Sequence, residues 1–536
     1  MLAEWAPTSP DYWINFADCS RAAAINVRDP RLYDAILACF SQDSVDHRYL
    51  TAAATSLLKI HEQTSPLFDS DALGFALETW SGSGTEPSWL SNPLMHAYLR
   101  RTIVCDTDLE SAITRIRSWL LAFAANLSES SPISGGVQPF SEALALQCFF
   151  NEHVFHVGPG ERAAVKDLRN LAERGVPATG VEQFRLTVVA SYVPLHRLTN
   201  VPDLQSLAAS DAEPLGELVR RQLTEPLIEN QLRSKITVLG TIDDDISRAV
   251  QNQYEESPYP RWETLNRLSP QPLHATLKRL FTYIAAADNP DNPDILVAGC
   301  GTGRQALACA QANTGATVLA VDLSRSSLFY GLRMASHAEP SNIEFVQADI
   351  LELAALGRQF DLIECVGVLH HLADPIKGWR VLRDLLKKAG FMKIGLYSET
   401  ARQTHVAAQR FVGEHDYAAT PEGIRSARHD IVCLPPDHPA RGITERANFY
   451  TLSECRDLIF HVQEHRFSLP QIATALGELD LKFVGFEFLD SVQIQRYRAR
   501  YPDNSKAVSL DNWHRFELEN PATFVGMYQF WVRAGS

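Results

Sequence analysis

The chain has 536 residues and carries 49 Lys and Arg against 64 Asp and Glu, a formal charge of −15. That length exceeds what one hydrophobic core supports and predicts several domains, while 45% hydrophobic and 21% charged residues exclude a fibrous or disordered chain. The acidic surplus, with no local concentration of basic residues, opposes docking on a polyphosphate backbone, so nucleic acid is not an expected partner. Nine cysteines without a CxxC pair fit neither a disulfide framework nor a zinc site, and a cytoplasmic location is expected. The opening MLAEWAPTSPDYW lacks a basic start and an apolar core, and no stretch approaches the ~18 apolar residues of a membrane span, so no membrane insertion is expected.

Through residues 1–245 apolar residues recur at three- and four-residue spacing, as in LESAITRIRSWLLAFAANL (109–127) and SEALALQCFFNEHVF (141–155), which predicts an all-helical domain with no fixed repeat. Residues 246–275 contain QNQYEESPYPRWETL, which cannot be regular helix after Ser257 and reads as an aromatic loop or lid. Tyr254, Tyr259 and Trp262 there either glue two domains together or lie over a ligand.

From Asp294 the pattern becomes short apolar strands separated by helix-length segments, the signature of βαβ units. Strands are expected at 295–298, 318–321, 344–347, 362–365 and 391–396. Residues 397–467, polar, histidine-rich and Pro-containing, form an insertion, after which a helix at 469–479, strands at 482–488 and 526–534 and two intervening helices complete the pattern. The expected fold is α/β, a seven-stranded doubly wound Rossmann-like sheet over 276–396 and 468–536, its last strand antiparallel.

The first of these strands runs into GCGTGRQALACA, which places Gly299, Gly301 and Gly303 in the turn before a helix, where backbone approaches a ligand closely and N–H groups favour a polar or anionic group. Alone this turn is a weak signal, shared by many Rossmann-like domains. Asp322 ends the second strand, where a carboxylate accepts from two ribose hydroxyls. Asp349 ends the third, where it accepts from an adenine amino group while Ile350 packs on the ring. Helix capping is the competing role for both acids.

With ILVAGCGTG, AVDLS, QADI and FDLIECVGVLHHL in this order and spacing, the chain resembles the class I S-adenosylmethionine methyltransferases. The resemblance implies S-adenosylmethionine as cofactor, with Gly299, Cys300, Gly301 and Arg304 around its methionine moiety. It also implies Asp322 and Leu323 on the ribose, Asp349 and Ile350 on the adenine, and Val366 lining the pocket. One departure stands out: the family's acid two positions before the first glycine is replaced by Val297, so the cofactor's amino group needs another partner, with Glu364, Tyr254 and Asp294 as alternatives. NEHVF, IDDDISRAVQNQYEESPYPRW and CRDLIFHVQEHRFSLPQIA further resemble the rickettsial-type protein-lysine methyltransferases that modify outer membrane protein B. That likeness implies a helical half that dimerises, a protein lysine as methyl acceptor, and a substrate cleft built partly from the insertion.

Methyl transfer from a sulfonium is an in-line displacement that needs an aligned, deprotonated nucleophile. His370 and His371 in GVLHHL, just past the fourth strand, are candidate bases, with packing or capping as the alternative. Tyr254 and Tyr259 are candidates for cation–π contact with the sulfonium or the amine. His415, His429, His438, His461 and His465 are scattered through the insertion; the last two are four apart on an expected helix, but without an HExxH acid a structural role is the better reading and no metal is expected. A nicotinamide-dependent oxidoreductase ranks low because GxGxxG is absent, while a small-molecule or tRNA methyltransferase and a non-catalytic S-adenosylmethionine sensor remain alternatives.

Overall fold

The computed structural model describes residues 10–21, 23–80, 86–208, 215–265, 268–284, 291–338, 342–487 and 491–535. The sequence reading of the amino terminus rests largely on residues 1–9, outside the described residues. The chain divides into two compact units: Met1–Ile228, Trp262–Asn266 and Ala408–Phe460 form one, and Glu229–Arg261, Arg267–Ala407 and His461–Ser536 form the other.

The first unit is helical. Its helix Val137–Phe150 is buried around nearly its whole circumference, as expected of a segment apolar on every face, and so lies at the centre of the core. The twenty-residue helix Thr107–Asn126 starts where the Asp106 carboxylate accepts from the Leu109 N–H at 2.9 Å. Most of the expected insertion joins this unit. Its helices Pro421–Cys433 and Leu452–Ile459 build a core with Phe449, Ile443 and Phe411, on which Ile103 and Cys105 also pack. Arg428, 2% exposed, fastens the two parts: it donates to the carbonyls of Phe449 at 2.6 Å and Val154 at 3.3 Å and to the Glu110 carboxylate at 2.8 Å.

Among the described residues the second unit is built on one sheet of eight strands, not seven: β1 Thr237–Leu239, β2 Asp294–Ala298, β3 Thr317–Asp322, β4 Ile343–Ala348, β5 Phe360–Val366, β6 Leu386–Tyr397, β7 Leu481–Phe486 and β8 Met527–Ala534. The additional strand, β1, lies within the segment expected to be all-helical. It is three residues long and mostly exposed at the sheet edge, too short to leave a period-two pattern. The aromatic segment also differs from the expected loop, for it begins as helix Asp245–Glu256, and helix Leu273–Leu280 starts before its end.

Strand order is β1-β4-β3-β2-β5-β6-β8-β7, parallel except for β8, which runs antiparallel to both β6 and β7. The central strands are continuous apolar runs because helices cover both faces. From β2 the chain winds outward through β3 to β4, then returns to place β5 on the other side of β2. The carboxyl ends of β2 and β5 therefore flank the topological switch point, where open α/β sheets leave a crevice for ligands.

Candidate functional site

All three turn glycines have left-handed backbone. At Gly301, with φ +53°, an added Cβ would meet the Tyr259 carbonyl oxygen at 2.5 Å. At Gly303, with φ +81°, it would meet the Phe345 ring at 3.0 Å and the Gly331 Cα at 3.2 Å. The turn thus needs glycine for conformation and for close approach together. Gly303 then caps helix Arg304–Ala312, and no side chain caps that end, which leaves its first N–H groups open to an acceptor.

Asp322 closes the turn. Its Oδ2 accepts from the Gly301 N–H at 2.7 Å and its Oδ1 from the Ser324 N–H at 2.9 Å. Burial pushes its carboxyl up to about 6, the N–H bonds from Ser324 and Gly301 pull against the rise, and the nearby Glu255 carboxylate adds to it. Asp349, 3% exposed, caps the next turn through Oδ1, which accepts from the Leu351 N–H at 2.9 Å, leaving Oδ2 for a ligand donor. Ile350 is buried beside it, Leu323 presents its carbonyl to Gln347 at 3.0 Å, and Cys300 is buried with its thiol pushed well up by burial first and by Asp322 second. Val366 ends β5 against Gly395, where a Cβ would meet its Cγ1 at 2.6 Å.

The aromatic segment lies on this turn. The Thr302 N–H donates to the Tyr259 carbonyl at 3.2 Å, and the Thr302 hydroxyl donates to the Pro260 carbonyl. Helix Asp245–Glu256 holds the segment there. Gln251 donates to the Leu323 carbonyl at 3.3 Å and the Tyr254 carbonyl accepts from the Ser324 hydroxyl at 3.0 Å. Glu255 accepts from the N–H of Arg325 at 2.5 Å and from the Ser326 hydroxyl at 2.6 Å, so it caps helix Arg325–Ala338. The Tyr254 and Tyr259 rings stack at 6.2 Å, and the Tyr254 hydroxyl pairs with His461 Nε2 at 3.2 Å. Trp262, by contrast, is buried and belongs to the helical unit.

His370 does not line the crevice as a base would. With 0% exposure it stacks on Tyr397 at 3.7 Å and meets His371 edge-on at 4.3 Å, and a ring facing a ligand cavity would be accessible in a structure without ligand. Burial, then His371, Arg402, His461 and His465, hold it well below the usual histidine range, so it is a neutral packing ring. His371 is also buried, its Nδ1 on the Gln463 carbonyl at 2.8 Å and its ring stacked on His461 at 3.7 Å. His461 and His465, expected four apart on a helix, lie in non-helical chain after helix Leu452–Ile459. Beyond Tyr397, the Arg402 guanidinium sits 3.6 Å over that ring and pairs with Glu464 at 2.8 Å, both side chains almost fully buried. Tyr397 carries the one signal a reader of the sequence has for this cluster, its place at the end of a strand. Arg402, Glu464 and Glu255 carry none, because their partners are distant in the chain.

Of the three alternatives to the missing acid, Asp294 is excluded. It starts β2, about 13 Å along the strand from the turn, and is paired there with Arg358 at 3.3 Å and Lys387 at 3.4 Å. Glu364 of β5 is the register partner of Val297 and accepts from Gln305, the second residue of the helix after the turn, at 2.6 Å.

A family model described as a methyltransferase domain matches residues 295–390. An uncharacterised protein of Synechococcus is 28% identical over 300 residues, 53% of this chain and 71% of that protein. The ubiquinone biosynthesis O-methyltransferase of Acinetobacter baumannii is 33% identical over 97 residues, and the match spans 18% of this chain and 40% of that enzyme. Among solved structures, PKMT2 of Rickettsia typhi in complex with AdoHcy is similar at 17% identity and a TM-score of 0.39, over 49% of this chain and 52% of that one. No helix among the described residues is long and apolar enough to cross a membrane. Glycine turn, strand-end acid, strand order and family match agree, and the chain carries a class I S-adenosylmethionine-dependent methyltransferase domain.

Proposed function

We propose that the chain is a protein-lysine N-methyltransferase whose cofactor is held by Gly299, Cys300, Gly301 and Arg304 at the methionine end, Asp322 and Leu323 at the ribose, and Asp349 and Ile350 at the adenine, with Val366 on the pocket wall. The donor set fits the group: Asp322 offers acceptors beside the turn, and the glycine cradle leaves no room for a Cβ. Bound there, the cofactor supplies an electrophilic methyl group on a sulfonium.

The observation that carries the reading is the Tyr254 and Tyr259 ring pair, Tyr259 fixed to the glycine turn through the Thr302 N–H and Tyr254 to the chain after β3 through the Ser324 hydroxyl. Aromatic faces attract a cation and exclude water, which favours an ammonium arriving from solvent and then its loss of a proton. The Tyr254 hydroxyl, paired with His461, offers that proton a route to solvent that does not need His370. A bulky acceptor is supported by the helical unit and the 408–460 insertion folded into it, far more chain than methyl transfer itself requires.

Incubation with methyl-labelled S-adenosylmethionine and separate protein, tRNA and small-molecule fractions, with Asp322→Ala as control, tests this. Methyl-lysine in protein that disappears in the variant is the expected result. Label confined to tRNA or to a small molecule overturns the lysine assignment, and cofactor binding without any transfer leaves a sensor.

A further inference from the structure

The chain just after Asp322 depends for its shape on a segment seventy residues upstream. Ser324 caps helix Arg325–Ala338: its hydroxyl oxygen accepts from the Ser327 N–H at 3.0 Å and its carbonyl from the Leu328 N–H at 3.1 Å. The N–H groups of Arg325 and Ser326 have no acceptor within that helix and need one from elsewhere. Glu255 supplies it. One of its carboxylate oxygens accepts from the Arg325 N–H at 2.5 Å, the other from the Ser326 N–H at 3.2 Å and the Ser326 hydroxyl at 2.6 Å. The helix dipole favours a carboxylate at this end.

These bonds close a ring that passes through Asp322. From Tyr254 and Glu255 the chain runs to Thr302, whose N–H and hydroxyl donate to the Tyr259 and Pro260 carbonyls. The neighbouring Gly301 N–H donates to Asp322 Oδ2 at 2.7 Å, and Asp322 Oδ1 accepts from the Ser324 N–H at 2.9 Å. The Ser324 hydroxyl returns to the Tyr254 carbonyl at 3.0 Å, and Gln251 adds a bond to the Leu323 carbonyl at 3.3 Å. Each Asp322 oxygen is thus aimed by one backbone N–H and keeps a further lone pair for a ligand hydroxyl. Both of those N–H groups belong to chain that residues 245–261 hold in place.

We propose that Glu255 is a positioning residue for the cofactor, acting through Asp322, a role that rests on the ribose placement proposed above. Docking of residues 245–261 on the start of helix Arg325–Ala338 and binding of the ribose depend on each other. By linkage the dependence is reciprocal, so a cofactor that binds more tightly to the docked segment also holds that segment more tightly docked.

Glu255 leaves an electrostatic mark as well. Burial is the largest cause of the raised Asp322 carboxyl, the N–H bonds from Ser324 and Gly301 oppose it, and the Glu255 carboxylate adds to it. Of the other titratable groups here, the Cys300 thiol is pushed well up by burial first and Asp322 second, and the Arg325 guanidinium donates to the Arg233 carbonyl at 3.2 Å. Removing the Glu255 charge therefore lets Asp322 ionise at lower pH.

The test is calorimetric titration of the full chain with S-adenosylhomocysteine from pH 8 down to pH 5, joined to amide hydrogen exchange in 245–256 with and without that ligand. In the parent the ligand is expected to slow exchange in 245–256, a result that needs no variant to fold. Glu255→Gln should weaken binding about tenfold at pH 8 and move the acid loss of affinity to lower pH. Ser324→Ala cuts the tie to Tyr254 but keeps the Glu255 charge, so it should weaken binding at pH 8 and leave the acid loss where the parent has it. Exchange in 245–256 that ignores the ligand, parental affinity in Glu255→Gln at pH 8, or an acid loss unmoved in that variant overturns the proposal. Asp322→Ala separates the two failures. If it binds like the parent, the ribose placement fails and the role of Glu255 with it; if it binds weakly while Glu255→Gln binds like the parent, only the coupling fails.

Discussion

Glu364 stands directly across the parallel ladder from Val297, on the neighbouring strand and the same face of the sheet. An acid therefore lies one strand to the side of Val297, at the same height. Its carboxylate is held by Gln305, and its own register partner on the next strand is Lys393, whose ammonium donates to Glu487 at 3.0 Å. Burial works against the charge on Lys393, but Glu364 and Glu487 together raise its proton affinity above the ordinary value, so Glu364 lies beside a lasting cation.

If Glu364 receives the cofactor's amino group, Glu364→Gln should weaken S-adenosylmethionine binding by about tenfold, the scale of one charge-assisted hydrogen bond. Methylthioadenosine lacks the amino acid part and should bind the variant and the parent equally. Calorimetry with both ligands checks this, and equal losses for the two would remove Glu364 from that role.

On the proposed reading Asp322 accepts two ribose hydroxyls as a carboxylate, and protonation turns one of its acceptors into a donor. With its folded pKa raised to about 6, cofactor affinity should be level above pH 7 and fall as the pH drops through 6, approaching tenfold per unit below it. Asp322→Asn should bind weakly at every pH. Stability moves the other way: a raised carboxyl pKa means that ionisation works against the unliganded fold above that pH. The variant's thermal midpoint at pH 8 should therefore equal or exceed the parent's, a gain that vanishes near pH 4, where Asp322 is protonated in the folded chain.

In the helical unit, burial pushes Glu454 up to about 7. Arg48 lowers it, while Glu152 and Asp457 raise it. The folded chain holds this proton more tightly than the unfolded one, so the contribution is present below pH 4.5 and lost as the pH rises toward 7. Glu454→Gln should stabilise the chain at pH 8 by about 1–3 kcal/mol and change nothing at pH 4. Denaturant melts at the two pH values decide.

Arg428→Met should cost about 3–5 kcal/mol, because it leaves the Glu110 carboxylate and two carbonyls facing apolar surroundings. The midpoint of urea unfolding measures this. Hydrogen exchange should show loosening in both 421–433 and 107–126, since the clamp joins the insertion to the helical half.

Local chemistry was enough to read the strands β2 to β8, the glycine turn, and the acids Asp322 and Asp349, because each is declared within a few residues: an apolar run, a glycine that must turn, a carboxylate at a strand end. The sequence likewise shows that helix cannot continue past Ser257, where a proline follows. It does not show that both histidines of the pair are covered. His370 is silenced by Tyr397, twenty-seven residues on, and by Arg402 and His465 beyond it. Nor does it show that most of the insertion belongs to the helical unit, which rests on Arg428 meeting Glu110 across more than three hundred residues. β1 exists only because β4 offers it an edge. Backbone conformation answers to near neighbours and is written locally. Burial, pairing and the proton affinity of a buried group depend on which distant side chains arrive beside it, and folding alone decides that.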